Sequence, residues 1–396
     1  MADQTRIGGI DFARGVVLVA IMIDHVPGNI LEGLTPRNFA LSDSAEAFVF
    51  LSGLSVGVAY YRKSLVSGLT PVIRSCFSRA GRIYGLHVAL TMCAVAIFGA
   101  CYWFSGLSAL IEAHGRTVVF HDPLQGAIGV ALLTHQLGYF NILPLYVVLM
   151  ALSPLILAVA RIEPLLALFT AAGAYLAARL LDFHLPNWPE PGGWFFNPFA
   201  WQFIFTLGIV AAIRWRDAPL RPSPAIQAIC LALTAAGAIV VTDGLGLRPG
   251  LHDLVFAQLD VGKQNLGAAR LVNFLALAYV VATSPILTNL ARTAVGEALQ
   301  SLGRHSLTIF AASSVLSALG QAGIAAWSGG EDVAKWLELG YTLACIGGLF
   351  ALARYLEWRK LPKADRRQAA AGVGGETRGD FARSPRSPLA RSVLAR

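Results

Sequence analysis

Apolar runs long enough to cross a bilayer recur along the chain, separated by shorter segments rich in polar and turn-forming residues. Ten such runs are predicted to be helical, over 10–26, 43–61, 82–104, 139–160, 164–181, 199–213, 224–242, 266–289, 302–322 and 336–356. The first and sixth are short, so they tilt little or continue into polar ends. The second opens on "LSDSAEAFVFLSGLSVG", where Asp43 and Glu46 have the spacing of a capping box. Gly53 and Gly57 follow on a small-residue stripe that permits close helix packing. The pattern predicts an all-α, polytopic membrane protein with about ten transmembrane helices, and no inverted repeat is evident in it.

Composition strengthens that reading. The chain has 396 residues, 56% hydrophobic and 14% charged, which leaves no room for a separate soluble domain. Residues 1–360 are expected to form the membrane domain. Residues 361–396, rich in Ala, Gly, Arg and Ser, are expected to be a disordered basic tail. The net charge of +8 is not read as a nucleic-acid signal, because the cations cluster as membrane topology requires. Residues 61–82 hold Arg62, Lys63, Arg74, Arg79 and Arg82; 214–221 hold Arg214, Arg216 and Arg221; ten more Lys or Arg follow Trp358. Against these, Arg37, Arg116, Arg248, Lys263 and Lys335 are scattered exceptions on the other side. The positive-inside rule then places both termini in the cytoplasm. Asp11 and Arg14 interrupt what would be the apolar region of a signal peptide, so no cleavable one is expected. The five cysteines show neither metal-ligand spacing nor a disulfide framework, and no metal site is expected.

Histidine distributes opposite to the basic clusters: His25, His114, His121, His135, His184 and His252 all fall on or near the outer side. The outer segment "LPNWPEPGGWFFNPFAW" reads mainly as an interfacial aromatic belt. The first run ends "IMIDHVPGN", which puts Asp24 and His25 at a helix terminus. Arg14 and His25 are eleven residues apart, so they share one helix face with an axial separation of about 16.5 Å. A lone histidine there is comfortable as an interfacial residue, but here Asp24 precedes it and Arg14 lies on its face. Arg14 has two bland alternatives: snorkelling to headgroups, or pairing with Asp11 three residues before it. The capping box accounts for Asp43. Glu46, heading into the membrane, reads equally as a cap or as a carboxylate orienting His25. Further polar groups within runs are His87, Gln202, Arg270, Asn273, Arg304 and His305. Arg270 requires a carboxylate partner, for which Glu46 or Asp43 would serve, a water-filled cavity or an anionic ligand.

The blocks "DFARGVVLVAIMIDHVPGN", "TPRNFALSDSAEAFVFLSG", "FNILPLYVVLMALSP", "WFFNPFAWQFIFTLG" and "NLGAARLVNFLALAY" resemble the OpgC family, membrane proteins associated with succinylation of osmoregulated periplasmic glucans. The likeness runs from about Ile10 to the last apolar run and excludes the tail. That family is similar to the acyltransferase-3 superfamily, whose recurring motif, an arginine, ten residues and a histidine, matches Arg14 and His25. The resemblance implies an inner-membrane acyltransferase in which Arg14 and His25 take the motif's roles, with His25 catalytic; the residues around it add His25 as general base and Asp24 and Glu46 as candidates to assist it. It implies acyl-CoA, most simply succinyl-CoA, as a co-substrate, with no permanently bound cofactor. Arg14, Arg74, Arg79 and Arg82 would hold the donor, its arm lying along the Arg14-to-His25 stripe. Arg37, Asn38, Asp43 and Arg270 would bind substrate, with Arg37 or Arg270 taking a donor carboxylate. Asn38, Asn141 and Asn273 are candidate oxyanion donors. The acceptor implied is a hydroxyl of a periplasmic glucan arriving from the periplasm, and the lipid bilayer is the other partner expected. The rival is a transporter or flippase for a glycan or anionic small molecule, against which stands the absence of evident broken helices. A purely structural or regulatory subunit fits the buried charges least.

Overall fold

The computed structural model of the protein describes residues 2–26, 28–217, 220, 222–330 and 334–360. Arg221 and the tail 361–396 lie outside the described residues. Among them the secondary structure is helical, apart from one isolated bridge between Pro186 and Gly193. In chain order the α helices are α1 (Ala2–Asp24), α2 (Ser44–Ser67), α3 (Thr70–Ser105), α4 (Ala109–Glu112), α5 (Arg116–His121), α6 (Pro123–Ala131), α7 (Ile142–Ile162) and α8 (Pro164–Leu180). They continue with α9 (Pro198–Asp217), α10 (Pro224–Val241), α11 (Leu251–Phe256), α12 (Ala268–Thr283), α13 (Pro285–Leu290), α14 (Ala294–Arg304), α15 (Ser306–Ser328) and α16 (Lys335–Lys360).

Seven of these, α2, α3, α7, α9, α10, α15 and α16, are long and apolar enough to cross a membrane. The other three predicted runs fall on helices that lack one of the two properties. α8 and α12 are apolar but have 17 and 16 residues. α1 has 23 residues but carries Asp11, Arg14 and Asp24. The count of about ten spans is therefore established for seven by length and composition.

Three boundaries differ from the sequence reading. The basic segment 61–82 is not a loop: α2 runs to Ser67 and α3 begins at Thr70. At 36 residues, α3 is about 54 Å long against a hydrocarbon core of about 30 Å, so Arg74, Arg79 and Arg82 ride on the helical overhang. The run 266–289 is broken at Ser284, where Pro285 begins α13. The run 302–322 crosses His305, between α14 and α15. The run 266–289 therefore holds two helices, where the sequence reads as one, while the run 302–322 corresponds to the spanning helix α15 with its start moved to Ser306.

Small residues set the tightest seams. A Cβ on Gly53 would fall 1.9 Å from the Phe205 carbonyl oxygen, and one on Gly208 would fall 2.2 Å from that of Phe50. This close approach lets α2 and α9 pack backbone to backbone, as the Gly53–Gly57 stripe predicts. α14 lies along α1 in the same way, with Gly303 against the Asp11 carbonyl and Gly15 against that of Leu299. Large side chains such as Trp201, Phe205, Phe310, Leu18 and Met22 fill the core between the helices. These helices, up to Ala353, form one compact unit; in the second, from Arg354, Tyr355 stacks on Trp358 at the end of α16.

Candidate functional site

The site forms where α1 stops and α2 starts. α1 ends because Gly28 turns the chain at φ 94°, a backbone angle that favours glycine. Asn29 then ties off the helix: its side-chain amide donates to the carbonyls of Ile23 at 3.0 Å and Val26 at 2.5 Å. The "PGN" stop therefore works through Gly28 and Asn29. It leaves His25 in the last turn, its backbone N–H still bonded to the Ile21 carbonyl at 3.0 Å and its own carbonyl accepting from the Gln321 amide at 2.6 Å.

The His25 ring makes no hydrogen bond to any described residue. Its close ring neighbour is Tyr139, edge-on at 4.8 Å and 67°. On one side the ring faces a cavity of about 750 Å3, lined also by Asp24, Arg37, Asp43, His114 and Asn141. Glu190, Phe195, Phe196, His252 and Phe256 also line it. Three of the outward-lying histidines, His25, His114 and His252, thus meet in one space. His114 lies outside the helices of spanning length. Burial, aided by the Arg116 cation, holds its pKa below the usual imidazole value, so it is neutral near pH 7. Arg116 itself is lowered to about 10 by burial and stays charged, its Nε donating to the Leu110 carbonyl at 2.7 Å.

Asp24 does not hold His25. Its carboxylate accepts from the Thr35 hydroxyl at 2.6 Å, in keeping with the 100° that separates adjacent side chains on a helix. Nor does Glu46 bond to it. Glu46 completes the capping box, accepting from the Asp43 backbone N–H at 2.8 Å, and it accepts from Arg270 Nε at 2.8 Å. Arg270 Nη2 donates to Asp43 at 3.2 Å, and Lys263 Nζ donates to the same Asp43 oxygen at 2.5 Å. Asp43, Glu46, Lys263 and Arg270 form a closed quartet whose charges sum to zero. Lys263 looked like a stray cation in the sequence; its distance of 220 residues from Asp43 hid the pairing.

The remaining expected site residues separate. Arg37 lines the cavity and has no ion pair or hydrogen bond to a described residue. Asn38 is used locally, donating to the Glu32 carbonyl at 2.6 Å. Asn273 bonds the Leu41 N–H and the Leu233 carbonyl. Asn141 lines the cavity with its side chain unbonded to described residues, which makes it the free amide of the three. Arg14 lies at the other end of α1. It pairs with Asp11 at 3.3 Å and donates to the Gly303 carbonyl and the Ser55 hydroxyl, each at 3.0 Å. Leu18 and Ile21, between Arg14 and His25 on that face, are buried, and neither cavity at His25 is lined by Arg14. Arg74 and Arg82 are exposed on α3 and Arg79 is half-buried there. Tyr139 went unnoticed in the sequence because nothing local marks it: it touches His25 only through the fold.

A helical membrane protein with a free imidazole facing a polar cavity at one end of its bundle fits a membrane transferase. The OpgC protein family model matches residues 6–361, and the chain belongs to the OpgC family. That membership implies a transferase role in glucan modification. No curated protein matches the chain, and no solved structure does.

Proposed function

We propose that the protein transfers an acyl group, succinyl, from acyl-CoA to a hydroxyl of a periplasmic glucan, with His25 as general base. The observation that carries this reading is the His25 ring, which has no hydrogen bond to any described residue and faces a cavity of about 750 Å3 that mixes aromatic and polar walls. A base must be neutral, within reach of the proton it takes, and not already committed to another partner.

In the proposed step, a sugar hydroxyl in the cavity gives its proton to His25 as its oxygen attacks the thioester carbonyl. The C–O bond forms, and the oxyanion is held by the Asn141 amide. Collapse breaks the C–S bond, and the leaving thiolate takes the proton back from His25. The products are the ester and free CoA thiol, and His25 returns to its starting form.

The proposed donor side is the Arg74, Arg79 and Arg82 overhang of α3, whose positive charge suits the CoA phosphates. Arg14 contributes there by fixing α1 to α2 and α14. Arg37 reads the succinyl carboxylate, since it is the cavity-lining arginine without a carboxylate partner. Arg270 is neutralised by Glu46 and Asp43. The basic overhang faces the cytoplasm of an inner membrane and the His25 cavity faces the periplasm.

The test is transfer of label from radiolabelled succinyl-CoA to a glucan oligomer by purified protein, expected for the native chain and not for His25→Ala. No labelled ester from any acyl-CoA would overturn the reading. The helix break at Ser284 favours a second reading, a carrier, because broken helices recur at transport sites. Counterflow of glucan in vesicles lacking acyl-CoA would establish that one.

A further inference from the structure

The cavity of about 750 Å3 at His25 holds more groups than the transfer step uses. His25, Asn141 and Arg37 have roles in that step. Asp24 is committed to Thr35, and Asp43 to Lys263 and Arg270. Among what is left are the Glu190 carboxylate and the Phe195 ring. Both line the cavity, and both come from the segment between α8 and α9. This is the "LPNWPEPGGWFFNPFAW" segment, whose rings the sequence reads mainly as an interfacial belt.

The segment is a built hairpin. The Asn187 N–H donates to the Gly192 carbonyl at 2.8 Å, and the Trp194 N–H to the Leu185 carbonyl at 3.0 Å. The Trp188 N–H donates to the Thr134 carbonyl at 3.2 Å, which ties the hairpin to the chain after α6. Glu190 sits in its turn between Pro189 and Pro191, which stiffen the backbone on both sides. The Glu190 carboxylate accepts no hydrogen bond from a described residue: His135 Nδ1 is 3.9 Å away, and the His135 Nε2–H already donates to the Gly115 carbonyl at 2.8 Å. Phe195 is 47% exposed, whereas Phe196 is 4% exposed and holds it edge-on at 4.8 Å and 88°. A ring of the interfacial belt meets lipid; this one faces a cavity that also holds Asp24, Arg37 and Glu190. A wet aromatic face among charged groups suits a ligand that is apolar on one side and rich in hydroxyls at its edge. A pyranose ring is such a ligand: its axial C–H bonds form a flat apolar face, and its hydroxyls lie around the rim.

We propose that the α8–α9 hairpin reads the acceptor sugar, with Phe195 stacking on the C–H face of one glucosyl ring and Glu190 accepting from two neighbouring hydroxyls of it. The identity of the acceptor rests on the acyl-transfer reading above. The two side chains determine specificity and take no part in the bond changes. Stacking fixes the plane of the sugar, and the paired hydrogen bonds fix its rotation within that plane. Together they present one remaining hydroxyl to His25. Hydrogen bonds to a carboxylate are stronger than those to a neutral oxygen, so Glu190 discriminates against a sugar that lacks one of the two hydroxyls.

Binding of a linear glucan oligomer to the full-length protein in detergent, without acyl-CoA, tests this. Glu190→Gln keeps the shape and removes the charge, and should weaken binding about tenfold. Phe195→Leu keeps an apolar side chain that a belt would tolerate but has no flat face; it should weaken binding about threefold to tenfold. Phe195→Tyr keeps the face and should bind as the native chain does. Competition by methyl glucoside and its 3-deoxy analogue reads the hydroxyls, because O3 belongs to both vicinal pairs of the ring. The parent sugar should compete better on the native chain, and Glu190→Gln should narrow that difference. Native affinity in either Glu190→Gln or Phe195→Leu, equal competition by the two sugars, or a native chain that binds no glucan overturns the proposal. Labelled ester formed by that same native chain leaves the acyl-transfer reading standing. Weakened binding in the two variants, with no acyl-CoA turnover in the native chain, overturns the acyl-transfer reading and leaves the hairpin as a glucan site.

Discussion

Arg270 Nε lies 2.8 Å from Glu46 Oε1, an ion pair between residues 224 apart in sequence, with the Glu46 side chain fully buried. The sequence left Arg270 two roles, structural partner or binder of a substrate carboxylate. With Lys263 and Asp43 completing a neutral quartet, its charge is already met. Arg270→Met leaves one negative charge uncompensated and Glu46→Gln leaves one positive. Each should lower stability by about 3–5 kcal/mol. The double variant restores neutrality, because Asp43 and Lys263 remain paired, and should recover most of the loss. Thermal unfolding in detergent reads this, and singles as stable as the native chain would refute the pairing.

His25→Ala should lower transfer by about a hundredfold to ten-thousandfold, the usual worth of a general base. Stability should change little, because the ring makes no hydrogen bond to described residues. Activity of the native chain should fall as pH drops through the pKa of His25, since protonation occupies the lone pair the base uses. Single-turnover rates across pH check this. A purified variant with near-native turnover would remove His25 from the mechanism.

Asp24 offers a sharper contrast. If its work is to accept from Thr35, Asp24→Asn keeps an acceptor oxygen and should retain transfer close to native. Asp24→Leu removes the acceptor and should cost about 1–3 kcal/mol of stability. Abolished transfer in a well-folded Asp24→Asn would instead make Asp24 the orienter of His25.

Arg37→Met should change acyl preference. A succinyl donor loses a charge-assisted contact of about 1.5–3 kcal/mol and an acetyl donor loses none. The ratio of kcat/KM for the two donors should shift about tenfold to a hundredfold toward acetyl. Equal losses for both donors would show that Arg37 does not read the carboxylate.

What could be read from the sequence was local. The α2 capping box, the Gly53–Gly57 stripe and the stop after His25 each rest on residues within a few positions of one another. The Glu46–Arg270 pair is also legible, because two opposite charges in apolar runs have few alternatives. The rest depends on distant segments. Lys263 and Tyr139 reach the site through the fold, and no nearby residue marks them. The break at Ser284 is hard to see because apolar residues continue on both sides of it. Asp24 misled through adjacency, since a neighbour in sequence is not a neighbour in space on a helix.

The helices differ widely in how much of them the protein itself covers. In α9, 67% of the apolar stretch is buried, whereas in α10 the figure is 6%. Apart from the side that α12 covers, where Gly237 and the Leu233 carbonyl meet Asn273, α10 is left open by the protein, and a surface turned to hydrocarbon asks only that a side chain be greasy, while α9 must match the shapes around it. Over generations the two will diverge at different speeds. α10 can exchange Leu, Ile, Val and Ala almost freely, and the record of what this protein needs is written instead along α9 and the glycines that receive it.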